Sequence, residues 1–306
     1  MTFIARVLRS TGSWYEVVDM STGVRSSVRA AGRLRLSGDR ATNPIAVGDW
    51  VEVEEKGIIV SIHPRRNVLQ RKSVNLSHAV HTLASNLEAA FLVVTAAEPE
   101  TSTGFIDRFL VSAEAFGVPT TLVFNKVDAC SADQQARATE LQALYAGIGY
   151  GVLETSAVTG AGVDLLRAAL AAGGTSLLAG NSGVGKSSLL NVLIPGSDVR
   201  VGAVSEAHAK GTHTTTYAEM HALSDGGYVV DSPGVKSFGL ADIDRDTLHH
   251  YFPEFFRLLP ECKFHNCRHL NEPGCAVVAG LKTGIVKTSR YESYLGQCEE
   301  NNTVKY

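Results

Sequence analysis

The stretch Gly180-Asn181-Ser182-Gly183-Val184-Gly185-Lys186-Ser187 decides the fold. It matches G-x-x-x-x-G-K-[ST], follows the apolar run 176–179 and opens a helical run at 186–193. Strand, glycine-rich turn and helix in that order are the setting a phosphate-binding loop requires. The glycines let the backbone curl until successive N–H groups face one anion, and the helix N-terminus adds its positive end. Lys186 would reach the β- and γ-phosphates of a nucleotide, and the Ser187 hydroxyl would ligate Mg²⁺. Ser188, the next residue of the turn, completes this nucleotide-binding set.

Outward from the loop, buried-strand runs alternate with helical stretches. Strands are expected at 89–95, 120–124, 151–154, 176–179 and 228–230, and helices near 106–116 and across 132–145, 163–171 and 186–193. Such alternation means an α/β domain with a mostly parallel sheet and helices on both faces. The chain shows no internal repeat and no low-complexity tract.

Asn125-Lys126-Val127-Asp128 directly follows the strand-like run 120–124. A carboxylate at Asp128 can accept from both the ring N–H and the amino group of guanine, whereas adenine offers no such pair. Leaving a buried polar group unpaired is penalised by roughly 10⁴-fold in substrate choice. Asn125 would tie the base loop to the phosphate loop, and the Lys126 stem would cover the base. Alone, N-K-x-D is weak, since Asp128 could equally cap a helix. Asp231-Ser232-Pro233-Gly234 follows another strand run, where Asp231 can hold Mg²⁺ through water and the Gly234 N–H can meet the γ-phosphate. Thr155-Ser156-Ala157 would bring backbone groups of Ser156 and Ala157 to the guanine O6. Together these motifs specify a GTP-binding domain.

Their order is unusual. The guanine-reading motifs at 125–128 and 155–157 precede the phosphate loop at 180–187 and the D-x-x-G at 231–234, the reverse of an ordinary GTPase. A circular permutation restores the same site, because domain termini lie at the surface and often close together.

Two flanking regions differ from this core. The first 70 residues read as five short strands, at 3–8, 14–18, 24–28, 50–53 and 58–62, separated by Gly, Ser, Asn and Pro turn signals. They suggest a small closed barrel of the OB type, with an SH3-like barrel as the alternative. Residues 1–72 hold 12 Lys+Arg against 7 Asp+Glu, while the remainder is net acidic. That asymmetry suits an N-terminal contact with a polyanion, or simply a solvated basic face. At the other end, Cys262, Cys267, His269 and Cys275 form C-x4-C-x-H-x5-C, with a helix expected from about Ala276. Three thiolates and an imidazole make a closed tetrahedral Zn²⁺ site of the structural kind. His265 is a competing ligand, whereas Cys130 and Cys298 lie outside the cluster.

Composition sets the boundaries. With 306 residues, 44% hydrophobic and 19% charged, the chain can bury more than one core and is not disordered. No apolar run approaches the roughly 18–20 residues of a membrane span. The opening MTFIARVLRS lacks a signal-peptide core, so a cytoplasmic location without a disulfide framework is expected.

The barrel, the permuted GTPase motifs, Lys-Gly-Thr-His-Thr-Thr-Thr at 210–216 and the Cys/His cluster together resemble the RsgA (YjeQ) family of small-ribosomal-subunit biogenesis GTPases. The likeness spans essentially the whole chain. It implies an OB-fold RNA-binding barrel (1–70), a circularly permuted P-loop GTPase domain (71–240) and a mostly helical zinc-binding domain (241–306). It also implies GTP and GDP as ligands, Mg²⁺, one Zn²⁺, and hydrolysis stimulated by the small ribosomal subunit and its rRNA late in maturation. A monomer with no membrane partner is expected. By position, Thr214 corresponds to the Mg²⁺-ligating switch threonine, with Thr215 and Thr216 as alternatives. The family usually carries a basic residue where Thr212 stands, a departure that touches a phosphate or RNA contact rather than the nucleotide site.

Val235 follows the D-x-x-G glycine, where many GTPases place the water-orienting Gln. Valine cannot hydrogen-bond water, so His213 is the candidate replacement and intrinsic hydrolysis should be slow. Two other readings compete: a translation factor or RNA chaperone using GTP only as a switch, and a metabolic phosphoryl-transfer enzyme. The second has no acceptor constellation in the sequence.

Overall fold

The structure is a computed structural model and describes residues 2–32, 34, 44–72, 80–172, 174–196, 218–232, 240 and 243–300. Strands β1 (Thr2–Ser10), β2 (Tyr15–Asp19), β3 (Arg25–Ala30), β4 (Trp50–Glu54) and β5 (Ile58–Ile62) pair in the order β1-β2-β3-β5-β4. β4 returns to β1, with Ala5 opposite Val51, and closes the ring. The parallel β3–β5 pair makes this a Greek-key barrel of the OB arrangement. Every strand contributes to its filling: Ala5, Val7, Tyr15, Val17, Val28, Val51, Val53 and Ile59 are all buried. Such residues fit a pleated, half-buried surface, which is why this stretch forms strands.

A hairpin of β6 (Val68–Lys72) and β7 (Val80–Ser85) leads from the barrel to the central domain. There β8 (Ala89–Val94), helix α1 (Thr103–Ala115), β9 (Thr120–Phe124), α2 (Ala132–Ile148), β10 (Gly151–Glu154), α3 (Val163–Ala171), β11 (Thr175–Gly180) and α4 (Lys186–Leu193) follow, then β12 (Glu219–Ala222) and β13 (Tyr228–Asp231). Their sheet runs β10-β9-β8-β11-β13-β12, and only β12 is antiparallel to its neighbour. Successive side chains of β8 enter opposite layers, as the strand period requires. Leu92 and Val94 pack with Phe109 and Leu110 of α1, while Phe91 and Val93 pack with Leu166 of α3 and Leu189 of α4. A central parallel strand covered on both faces is accordingly apolar throughout. β11, which feeds the phosphate loop, lies between β8 and β13 and is buried along its full length.

Barrel and central sheet are continuous, because β1 pairs with β12 at Arg9 and Glu219. Arg6, nearly buried, crosses the same junction: it donates to the Gly48 carbonyl at 3.0 Å and to Thr175 Oγ1 at 3.0 Å, at the start of β11.

The C-terminal part is built from short helical turns, α5 (Pro253–Leu258), α6 (Ala276–Thr283) and α7 (Thr288–Glu300). Phe252, Phe255, Val277, Val286 and Tyr294 pack around Cys267 and Cys275. Arg290 of α7, 1% exposed, bonds Asp107 of α1 at 2.7 Å and Glu254 of α5 at 2.7 Å. Tyr145 of α2 donates to the same Asp107 at 2.8 Å. This buried group fastens the C-terminal helices to the central domain.

The expected strands and helices all occur among the described residues, with ends moved by a few positions. Helix α1 starts earlier than expected because Ser102 caps it, accepting from the Phe105 N–H. Three strands went unforeseen. β6 and β7 carry Gln70, Arg71, His81 and Thr82 among their apolar residues, and β12 is only Glu-Met-His-Ala. None contains the run or alternation that marks a strand in sequence.

Candidate functional site

The phosphate loop leaves β11 at Gly180 and turns into α4 at Lys186. Three of its glycines, Gly180, Gly183 and Gly185, hold positive φ (148°, 84° and 96°), the conformation that favours glycine. At Gly185 the space is also closed, since an added Cβ would lie 2.3 Å from Asn125 Nδ2. Lys186 folds over the loop and donates to the carbonyls of Gly180 at 2.6 Å and Asn181 at 2.8 Å. Burial lowers its pKa to about 8, against the pull of Asp231. Asp231, at the end of β13, is pushed up to about 6 by burial, with Lys186 opposing the rise. A buried ammonium and a buried carboxylate, each disfavoured by desolvation, fit a pocket whose charges are completed by phosphates and a divalent cation.

The base-reading loop meets this cradle directly. Asn125 Nδ2 donates to the Val184 carbonyl at 2.9 Å, and Thr155 Oγ1 donates to Asn125 Oδ1 at 3.1 Å. One amide therefore links three of the four motifs: 125–128, 155–157 and 180–187. Lys126 takes a left-handed backbone conformation, φ 64°, and donates from Nζ to the Glu98 carbonyl at 2.8 Å. Asp128 lies in a single 3₁₀ turn rather than capping a helix; Ser131 instead caps α2, reciprocally with Gln134. Ser156 is fully buried and accepts from the Thr159 N–H, setting the turn that carries half-buried Ala157.

A cavity of about 550 Å³ opens between these loops, lined by Asn125, Lys126, Asp128, Ala157, Gly185 and Ser188. A volume of this size suits a nucleoside. Ala97, Glu98, Gln134 and Val158 also line it, and the sequence carried no signal for them. Ser187 is half-buried at the head of α4. His213, Thr214, Gly234 and Val235 lie outside the described residues.

Some distance along the chain, Cys262, Cys267, His269 and Cys275 converge, with one donor atom of each within 4.8 Å of all the others. His269 Nδ1 stands 3.6 Å from Cys262 Sγ and 3.4 Å from Cys275 Sγ. A tetrahedral zinc ion with Cys and His ligands has edges of roughly 3.5–3.8 Å, so the donors fit such an ion. Backbone N–H groups of Ala276 and Val278 point at Cys262 Sγ and Cys275 Sγ, which would stabilise thiolates. Burial pushes the Cys267 thiol up to about 12, a pressure toward the neutral form that a bound cation would reverse. His265 is exposed and outside the group, which removes it as a competing ligand; Cys130 and Cys298 pack into apolar surroundings.

Comparison with known proteins places this geometry. The family model described as RsgA GTPase matches residues 62–241. The chain belongs to the RsgA GTPase family. It is 46% identical over 304 residues to the small ribosomal subunit biogenesis GTPase RsgA 2 of Bacteroides thetaiotaomicron, covering 98% of this chain and 97% of that one. It is also 46% identical over 309 residues to RsgA of Porphyromonas gingivalis, covering 98% of each. Among solved structures, YjeQ from Thermotoga maritima superposes with a TM-score of 0.79 at 35% identity, over 99% of both chains. YloQ, a circularly permuted GTPase, gives 0.72 at 28% identity, over 100% of this chain and 97% of that one. As an RsgA-family GTPase, the chain hydrolyses GTP, and the permuted motif order is a property of the fold it shares with YloQ.

Proposed function

We propose that this GTPase acts in biogenesis of the small ribosomal subunit, with the subunit accelerating its hydrolysis of GTP during late maturation. The relatives' names supply the process, and the Asn125–Val184 hydrogen bond carries the reading of the site, because it joins the base loop to the phosphate loop. Asp128 would accept from the guanine ring N–H and amino group, while Asn125, Lys126, Ser156 and Ala157 complete the base site. Gly180 to Ser188 would surround the phosphates with N–H groups and the Lys186 ammonium, stabilising charge as it develops on the β–γ bridge. Ser187, Thr214 and Asp231 would hold Mg²⁺, which neutralises phosphate charge when bound, and the Gly234 N–H would reach the γ-phosphate. The protein would act in the cytoplasm. Among the described residues no helix is long and apolar enough to cross a membrane.

The barrel, richer in basic than acidic residues, would contact rRNA, as OB surfaces do. The Cys262, Cys267, His269 and Cys275 set would hold one Zn²⁺ as a structural brace. Domains at 1–70, 71–240 and 241–306 would then divide RNA contact, nucleotide chemistry and zinc binding. Because Val235 cannot orient water, His213 would do so when the small subunit is bound.

Single-turnover GTP hydrolysis with and without small subunits tests the reading. Strong stimulation of the wild type, lost in His213→Ala with GTP affinity retained, is the expected pattern. Full stimulation of the alanine variant removes His213 from the mechanism. Absence of stimulation in the wild type overturns the ribosomal assignment.

A further inference from the structure

The segment between β8 and α1, Thr95-Ala96-Ala97-Glu98-Pro99-Glu100-Thr101, belongs to none of the nucleotide motifs, yet it touches two of them. Its ends are tied together. Thr101 Oγ1 accepts from the Thr95 N–H at 3.1 Å, the Thr101 N–H returns to the Thr95 carbonyl at 2.9 Å, and both threonines are 2% exposed. Thr95 Oγ1 also accepts from the Ala97 N–H at 3.0 Å. Glu100 pairs with Arg137 of α2 at 2.6 Å, which anchors the outer side.

From this fixed loop two contacts reach into the site. The Glu98 carbonyl accepts the Lys126 ammonium at 2.8 Å. Pro99 lies so close to the phosphate loop that a Cβ built on Gly183 would stand 3.0 Å from its Cγ. Ala97 and Glu98 face the same cavity as Asp128 and Gly185. A lysine has much rotamer freedom to lose, and a charge-assisted bond to a rigid carbonyl fixes its stem where the base must pass.

We propose that residues 97–99 form a third wall of the guanosine site, in which Glu98 and Pro99 are positioning residues that hold the base-reading loop and the phosphate loop in register. The proposal rests on the nucleotide-site reading above and adds residues to it. The wall acts on how well guanine sits against Asp128, and does not touch the bond that breaks. Its loss should therefore appear in nucleotide affinity and base discrimination while turnover at saturation is kept.

The test is titration of GTP and ITP, which lacks the 2-amino group, against wild type, Pro99→Gly, Lys126→Met and the double variant. Lys126→Met keeps the stem and removes only the tethered ammonium. Pro99→Gly is expected to weaken GTP roughly tenfold, to narrow the GTP:ITP preference and to leave kcat unchanged. Because Pro99→Gly loosens the loop that presents the Glu98 carbonyl, and Lys126→Met removes the ammonium bound to that carbonyl, their effects should be less than additive. Unchanged GTP affinity in Pro99→Gly, equal losses for GTP and ITP, or full additivity with Lys126→Met overturns the proposal. If Pro99→Gly does not fold, Lys126→Met alone decides, by a narrowed GTP:ITP preference or an unchanged one. Failure of the wild type to prefer GTP over ITP would instead strike the nucleotide-site reading itself.

Discussion

Asn125 and Val184, 59 residues apart in sequence, are joined by a 2.9 Å hydrogen bond from the asparagine amide to the valine carbonyl. The bond is buried, and the asparagine oxygen is held by Thr155. Replacing Asn125 with Ala would leave the Val184 carbonyl and the Thr155 hydroxyl unpaired inside the protein. An unsatisfied buried group costs about 1–3 kcal/mol. Asn125→Ala should lower the thermal midpoint and weaken GTP binding together, as read by a melt and a nucleotide titration. A variant with unchanged GTP affinity would show that the two loops are positioned by other means.

Lys186 should report nucleotide binding through its proton. Burial holds its pKa near 8, whereas entering phosphates raise it again. The bound state then carries more protons than the free state, so affinity must fall as pH rises through about 8. Near pH 8 binding should take up a fraction of a proton, measurable by calorimetry in two buffers of different ionisation heat. In Lys186→Ala both the uptake and GTP hydrolysis should disappear.

The Cys/His group predicts one zinc ion per chain by elemental analysis. Stripping it with a chelator should loosen residues 243–300 and lower the thermal midpoint, since metal binding and folding are one equilibrium in so small a unit. Cys275→Ser should do the same at neutral pH. Metal-free protein that melts like the wild type would contradict a structural role.

Arg290 offers a test of domain docking. It is enclosed by Asp107, Glu254 and Tyr145, and its removal would strand two buried carboxylates. Breaking a buried ion pair from one side costs about 3–5 kcal/mol. Arg290→Ala should therefore release the C-terminal helices from α1, visible as faster hydrogen exchange in α1, α5 and α7. Arg290→Met combined with Asp107→Leu and Glu254→Met, which removes all three charges, should recover much of the loss.

Much of this architecture was legible in sequence because local chemistry forced it. The glycine pattern from Gly180 to Gly185 requires left-handed backbone at defined positions, and Asn125 with Asp128 is chemically matched to one base. The Cys262–Cys275 spacing likewise reads as a metal brace. What stayed hidden depends on pairing across distance. Arg290 looks like an ordinary helix-surface arginine until Asp107 and Glu254, far off in sequence, close around it. Glu98 acts through its backbone carbonyl, which no side-chain pattern encodes. β12 forms because β13 and β1 flank it, and Glu-Met-His-Ala alone gives no reason to extend.

The most direct test of the central claim, that motifs in permuted order build one guanine-reading site, is nucleotide titration of Asp128→Asn. The asparagine loses the paired acceptor for guanine and gains a donor that suits the second carbonyl of xanthine. GTP affinity should fall by roughly 100-fold or more and XTP affinity should rise, the direction expected when a buried polar partner is exchanged. GTP binding that is unchanged in this variant would contradict the account, because Asp128 would then not be reading the base.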